Sequence, residues 1–187
     1  MTRLAKLGPV VAAILLVGCD DPVGTNGTGR AAAFSAGGDQ GASHGVPLIE
    51  EGGSGAGRVS VSPTAEGAGF TAQITVNVRG LDPNATYFVQ RSPDFPVPPW
   101  ITDGICDRAA GNFPAGVTGP TWITFPTPNP GPAVTITTSA GGAGAVSFAF
   151  DLPAASESAF DVMFRVVDNT AAPTRELRSP CFTVTPK

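Results

Sequence analysis

The chain has 187 residues, enough for one ordinary domain with length to spare, and a formal net charge of −4. It has 24 glycines and 19 prolines, but its apolar fraction of 42% is that of a globular protein. No basic cluster is present to track phosphates, which argues against a nucleic-acid partner.

In chain order, the first feature is a short leader. Arg3 and Lys6 precede an unbroken apolar run, Val10 to Val17, which ends at Gly18-Cys19. Eight helical residues rise about 12 Å, against about 30 Å of bilayer hydrocarbon, so the run reads as a signal peptide and not as a span. Leu16-Val17-Gly18-Cys19 resembles the lipobox of bacterial lipoproteins. The resemblance implies cleavage before Cys19, a diacylglycerol thioether on its sulfur, and a further acyl chain such as palmitate. Two or more chains anchor stably where one binds marginally. It also implies an extracytoplasmic place in a bacterial cell envelope. Asp20 and Asp21 fit the rule by which Gram-negative lipoproteins stay on the periplasmic face of the inner membrane. The mature chain would carry nine basic and fifteen acidic side chains.

Residues 1–18 are thus expected to be signal peptide, and 19–45 a lipidated tether rich in Gly, Ala, Ser and Thr. Phe34 is the only large hydrophobe after Cys19 in that stretch. Such a segment cannot bury enough apolar surface to offset its ordering entropy. Twenty-six flexible residues reach about 28 Å on average and about 85 Å when extended. That would lift a domain clear of the headgroups.

From Val46 to the C-terminus the apolar pattern has period two. Phe70, Ala72, Ile74, Val76 and Val78 alternate with polar residues, as do Val146, Phe148, Phe150 and Leu152, and again Phe160, Val162, Phe164 and Val166. Shorter strands are expected at 46–50, 57–62, 86–91, 133–138 and 181–185. Asp82-Pro83-Asn84, Gly141-Gly142 and Asp168-Asn169 supply turns between strands. No stretch has a sustained helical period. The pattern predicts an all-β domain over 46–187: an antiparallel, immunoglobulin-like β-sandwich of about seven or eight strands.

Residues 92–132 are too long for a hairpin loop and hold ten of the nineteen prolines and both tryptophans. This Pro-rich insertion is expected to be ordered by its own packing, or functional, or both. Trp100, Trp122, Phe95, Phe113 and Phe125 lie in it. Rings on a proline-stiffened loop suit stacking on sugars or capture of a peptide, and equally a satellite core under the loop. With Cys19 taken by lipid, Cys106 and Cys181 are left as the one intramolecular pair, closing a loop of about 75 residues in an oxidising compartment. If Phe182 and Val184 face the core, Cys181 faces away, and the disulfide staples the insertion to the outside of the sheet.

Leu81, Pro83, Thr86, Tyr87 and Val89 resemble the Leu-x-Pro-x-x-x-Tyr run of fibronectin type III domains, which implies a tyrosine corner before a strand. The same run is similar to the strand of copper/zinc superoxide dismutase-like sandwiches that carries paired histidines. Here Tyr87, Phe88, Val89 and Gln90 stand there, which implies that the metal site is missing.

Little catalytic equipment is legible. His44 is the sole histidine and lies at the tether, whereas hydrolytic and metal sites need several ligands or a base on a rigid scaffold. Asp94, Asp103 and Asp107 match no calcium loop, and no phosphate loop or dinucleotide fingerprint is present. The expectation is a binding or structural module without catalytic residues, cofactor or metal. The membrane is its partner through Cys19, and an envelope protein or glycan binds its surface, with Trp100, Trp122, Phe95, Phe113 and Tyr87 as candidate contacts. The alternatives are a carboxylate-dependent glycoside hydrolase on envelope polysaccharide and a subunit of an envelope assembly.

Overall fold

A computed structural model describes residues 44–64, 69–95, 102–152, 159–170 and 173–186. Cys19, the signal peptide, residues 20–43 and Trp100 lie outside the described residues. The strands are β1 (His44–Glu50), β2 (Ala56–Thr64), β3 (Phe70–Arg79), β4 (Thr86–Pro93), β5 (Ile123–Thr124), β6 (Thr135–Thr137), β7 (Gly144–Leu152), β8 (Phe160–Asp168), β9 (Glu176–Arg178) and β10 (Phe182–Val184). One helical turn, α1 (Asp107–Ala110), interrupts them.

Every pairing is antiparallel. The path runs β5-β4-β8-β9-β1-β2-β3-β7, with β10 also on β8 and β6 also on β4, and it curls into a half-barrel. The expected alternation is present where it is longest. In β3, Phe70, Ala72, Ile74, Val76 and Val78 are buried, while Gln73, Asn77 and Arg79 are exposed. Those five meet Val59 and Val61 from β2, Val89 from β4, Val162, Phe164 and Val166 from β8, and Phe182 and Val184 from β10 in one core.

The curl divides into two halves, β1-β2-β3-β7 and β4-β8-β10 with β5 and β6. The short β9 pairs with β8 on one side and with β1 on the other, and so makes one continuous sheet of them. Phe125 fills the space between the halves. It is wholly buried, and its ring meets Phe148 and Phe150 of β7 edge-on and Phe164 of β8 nearly parallel, at 5.0 to 5.7 Å.

Turns are chosen by local chemistry. Asn84 takes a left-handed φ of 54° in the Asp82-Pro83-Asn84 turn. Tyr87, 1% exposed, turns its hydroxyl back to accept a hydrogen bond from the Asp82 amide at 3.1 Å, which is a tyrosine-corner geometry. Gly142 in the β6–β7 turn has φ 72°, and a Cβ there would run into the Leu81 carbonyl oxygen, so only glycine suits.

The long insertion is tied down at several points. The Cys106 and Cys181 sulfurs are bonded at 2.12 Å. Phe182 and Val184 are buried and Cys181 precedes them on the opposite side, so the staple lies outside the main core, as the alternation predicts. Beside it, buried Asp161 accepts hydrogen bonds from the Gly104 amide at 2.8 Å and the Thr183 hydroxyl at 2.5 Å. One carboxylate thereby joins the insertion, β8 and β10.

Candidate functional site

A depression among the described residues lies where β1 and β9 part. Ile49 pairs with Arg178 and Glu50 with Leu177. Continuing that register places Pro47 opposite Pro180. Neither has an N–H to donate, so the ladder stops there. A groove of about 640 Å³ opens between Pro47 and Ile49 on one wall and Ser179 and Pro180 on the other, with Pro173 and Thr174 at one end. Ile49 is 61% exposed, the largest exposure of a big apolar side chain among the described residues. Glu50, Glu51, Glu176 and Arg178 add charge of both signs.

The wall on the β9 side is braced by a cross-strand row. Thr124, Gln90, Arg165, Arg178 and Ile49 are successive register partners on β5, β4, β8, β9 and β1. Gln90 donates to Thr124 at 2.8 Å and accepts from Arg165 Nε at 2.6 Å. Glu176 accepts from Arg165 at 3.3 Å and from Arg178 at 2.5 Å. The half-buried Trp122 lies against this row, with the Arg165 guanidinium 4.5 Å and that of Arg178 5.7 Å from its ring. Arginine over indole adds about 0.5–2 kcal/mol per contact, more than a solvated ion pair. Burial pushes the Glu176 carboxyl up, but Arg178 and Arg165 outweigh it and hold it below its usual range.

Behind the groove a third arginine, Arg175, clasps three turns. Arg175 donates to both Glu50 oxygens, at 2.5 and 2.7 Å, to Asp82 at 2.6 Å and to the Gly80 carbonyl at 2.9 Å. Glu50 also accepts from the Gly55 amide at 2.7 Å. The Arg175 hydrogen bonds therefore hold the Glu50 carboxyl below its usual range. Asp168 accepts from Thr170, Thr174 and the Arg175 amide. Burial raises its pKa, but these bonds prevail and bring it to about 2.

Among the described residues, the aromatic side chains singled out in the sequence do not form one patch. Phe95 is buried and packs edge-on against half-buried Phe113 at 4.9 Å, with the Arg108 guanidinium 4.4 Å from the Phe95 ring. This is a satellite cluster beside the disulfide. Trp122 belongs to the arginine row, Phe125 to the main core and Tyr87 to the core beneath the corner. Asp94, Asp103 and Asp107 spend oxygens on the Phe95 amide, the Ile105 amide and the Asn112 side chain. Among the described residues, no group of three or more His, Cys, Asp or Glu side chains is arranged to hold a metal ion.

Sequence reasoning missed two features. The groove depends on a register that brings Pro47 and Pro180 together from 133 positions apart, and no local pattern signals that. Arg91 is the second. It follows Tyr87 and Val89 at intervals of two, so the period alone turns it inward, and it is 6% exposed. No protein-family model matches the sequence, and neither a curated protein nor a solved structure matches it.

Proposed function

We propose that the protein is a lipid-anchored, extracytoplasmic binding module of a bacterial envelope, and that it presents the β1–β9 groove to a segment of an envelope protein. The observation that carries this reading is the groove itself. It has an exposed apolar side chain at Ile49, flanking prolines, mixed charges and a wall fixed by the Trp122–Arg165–Arg178–Glu176 row. Concave sites with an apolar lining and a few placed polar groups are the usual form of a recognition site. The arginine over the indole favours protein over glycan, because it occupies ring surface that a sugar would stack on.

The same groove weighs against a carboxylate hydrolase. That chemistry needs one carboxyl held in its protonated form. Glu50 and Glu176 are both held below the usual range by arginines. An immunoglobulin-like sandwich is the finer reading of the fold that goes with this proposal. The two halves facing each other across Phe125 support it.

Two measurements test the reading. Labelling with radioactive palmitate should mark the wild-type chain and leave a Cys19→Ser variant unlabelled. Equal labelling of the two would remove the anchor. A pull-down of the lipidated protein from its native envelope should recover a protein that Ile49→Asp and Trp122→Ala variants lose. Full recovery by both variants would remove the groove.

A further inference from the structure

We propose that the free edge of β7 is a dimerisation surface, and that it pairs antiparallel with β7 of a second copy of this chain across a two-fold axis at Ser147. This surface is separate from the β1–β9 groove and does not depend on it.

β7 ends the strand path and pairs with β3 on one side. Phe148 lies opposite Ile74, whose carbonyl is turned towards β7 and accepts from the Ser147 hydroxyl at 3.4 Å. The Asp151 carbonyl points the other way and accepts from the Asn129 side chain at 2.5 Å. By the alternation of an antiparallel ladder, Ala145, Ser147, Ala149 and Asp151 therefore direct both backbone groups outward. Among the described residues, no backbone partner meets Ala145, Ser147 or Ala149 on that side. These three are exposed, and Val146 and Phe148 between them are only half-buried. An open edge is a template for another strand, and folds guard such edges with prolines, charges or short length. This chain does so elsewhere. β5, at the other end of the path, has two residues, and the parting of β1 from β9 carries Pro47 and Pro180. β7 is nine residues long, with no proline and no charge before Asp151.

The occupant that fits this edge is a second β7. Setting Ser147 opposite Ser147 places Ala145 against Ala149 and Val146 against Phe148, once on each side of the axis. Three pairs exchange two bonds each, about six N–H···O bonds in all. On the outer face the groups that meet are methyls and hydroxyls, too small to hold the strands apart. On the inner face each Val146 gains the partner's Phe148 ring, which covers apolar surface the single copy leaves half open. The nearest charge, Asp151, falls outside the paired stretch, where Asn129 already occupies its carbonyl, so no like charges face each other. A two-fold pairing of this kind is closed and stops at two copies. The partner strand lies two strand spacings, about 10 Å, from β3 and leaves the outer face of β3 clear.

The test is sedimentation equilibrium of the full chain in density-matched detergent, with micelles in large excess so that two copies do not share one by chance. Ala149→Pro removes an outward N–H and leaves the β3 ladder intact. Ser147→Lys and Ser147→Glu each set like charges face to face on the two-fold axis. The expected result is a reversible monomer–dimer equilibrium for the wild type, at least tenfold weaker in Ala149→Pro and weakened in each charge variant alone. An equimolar mixture of the two charge variants should associate at least tenfold more tightly than either by itself. Ser147→Cys should oxidise to a disulfide-linked dimer, and Arg58→Cys, exposed on β2, should not. Should Ala149→Pro fail to fold, the charge mixture decides, because position 147 is exposed. A wild type that stays monomeric up to its highest soluble concentration, unchanged association of a folded Ala149→Pro variant, a mixture no tighter than its parts, or equal disulfide linkage from positions 58 and 147 would each overturn the proposal.

Discussion

Removing the Cys106–Cys181 bridge should destabilise the domain strongly without dismantling its core. The bridge closes a loop of 75 residues. On the chain-entropy model, cross-linking a loop of that length removes about 15 cal/mol/K from the unfolded ensemble, or about 4.5 kcal/mol at 25 °C. The folded part from β1 to β10 spans about 140 residues. At about 2.1 cal/mol/K per residue, unfolding it carries about 0.3 kcal/mol/K, so the midpoint should fall by about 15 °C. The staple lies outside the main core, and Phe182 and Val184 keep their packing without it. A Cys106→Ala, Cys181→Ala variant should therefore fold, melt cooperatively and retain amide protection in β3 and β8, while the amides around α1 exchange faster. Scanning calorimetry with hydrogen exchange reads both effects. A midpoint shift below about 3 °C, with unchanged exchange around α1, would refute the reasoning.

Two further outcomes follow from the packing and the charges. Phe125→Ala should cost about 3–5 kcal/mol in chemical denaturation, because a wholly buried ring touching Phe148, Phe150 and Phe164 leaves a cavity between the halves of the sheet; a loss under about 1 kcal/mol would contradict its place at the centre. Acid should weaken the fold through Glu50 and Asp168. Both have folded pKa values below their unfolded ones, so their contribution is complete above the ordinary carboxylate range and is lost as the pH falls through about 4 towards 2, where Asp168 titrates. Melting temperature against pH should fall over that window, less steeply in Asp168→Asn, and an identical slope in the variant would count against the assignment.

The long strands were legible because each has one wet face. In β3, five inward residues at intervals of two leave no other register that buries them. The short strands β5 and β9 were not legible, since two or three residues cannot show a period. Leu177, between Glu176 and Arg178, is buried only because β8 and β1 flank it. That hidden strand joins the two halves into one continuous, curled sheet. The insertion's aromatic residues were visible as a group, but their destinations were not. Phe125 goes to the core and Phe95 to a cluster with Phe113 and Arg108, while Trp122 goes to a row of side chains assembled from five strands. Composition showed which residues were available to pack, and only tertiary pairing decides which of them meet.

The binding account is tested most directly by placing a photo-crosslinking amino acid at position 49 and, in a separate protein, at position 75 on the polar outer face of β3. Irradiation in the native envelope should give a discrete adduct with one protein from position 49 and none from position 75. The same adducts from both positions, or none from position 49, would contradict the groove as the surface this protein presents.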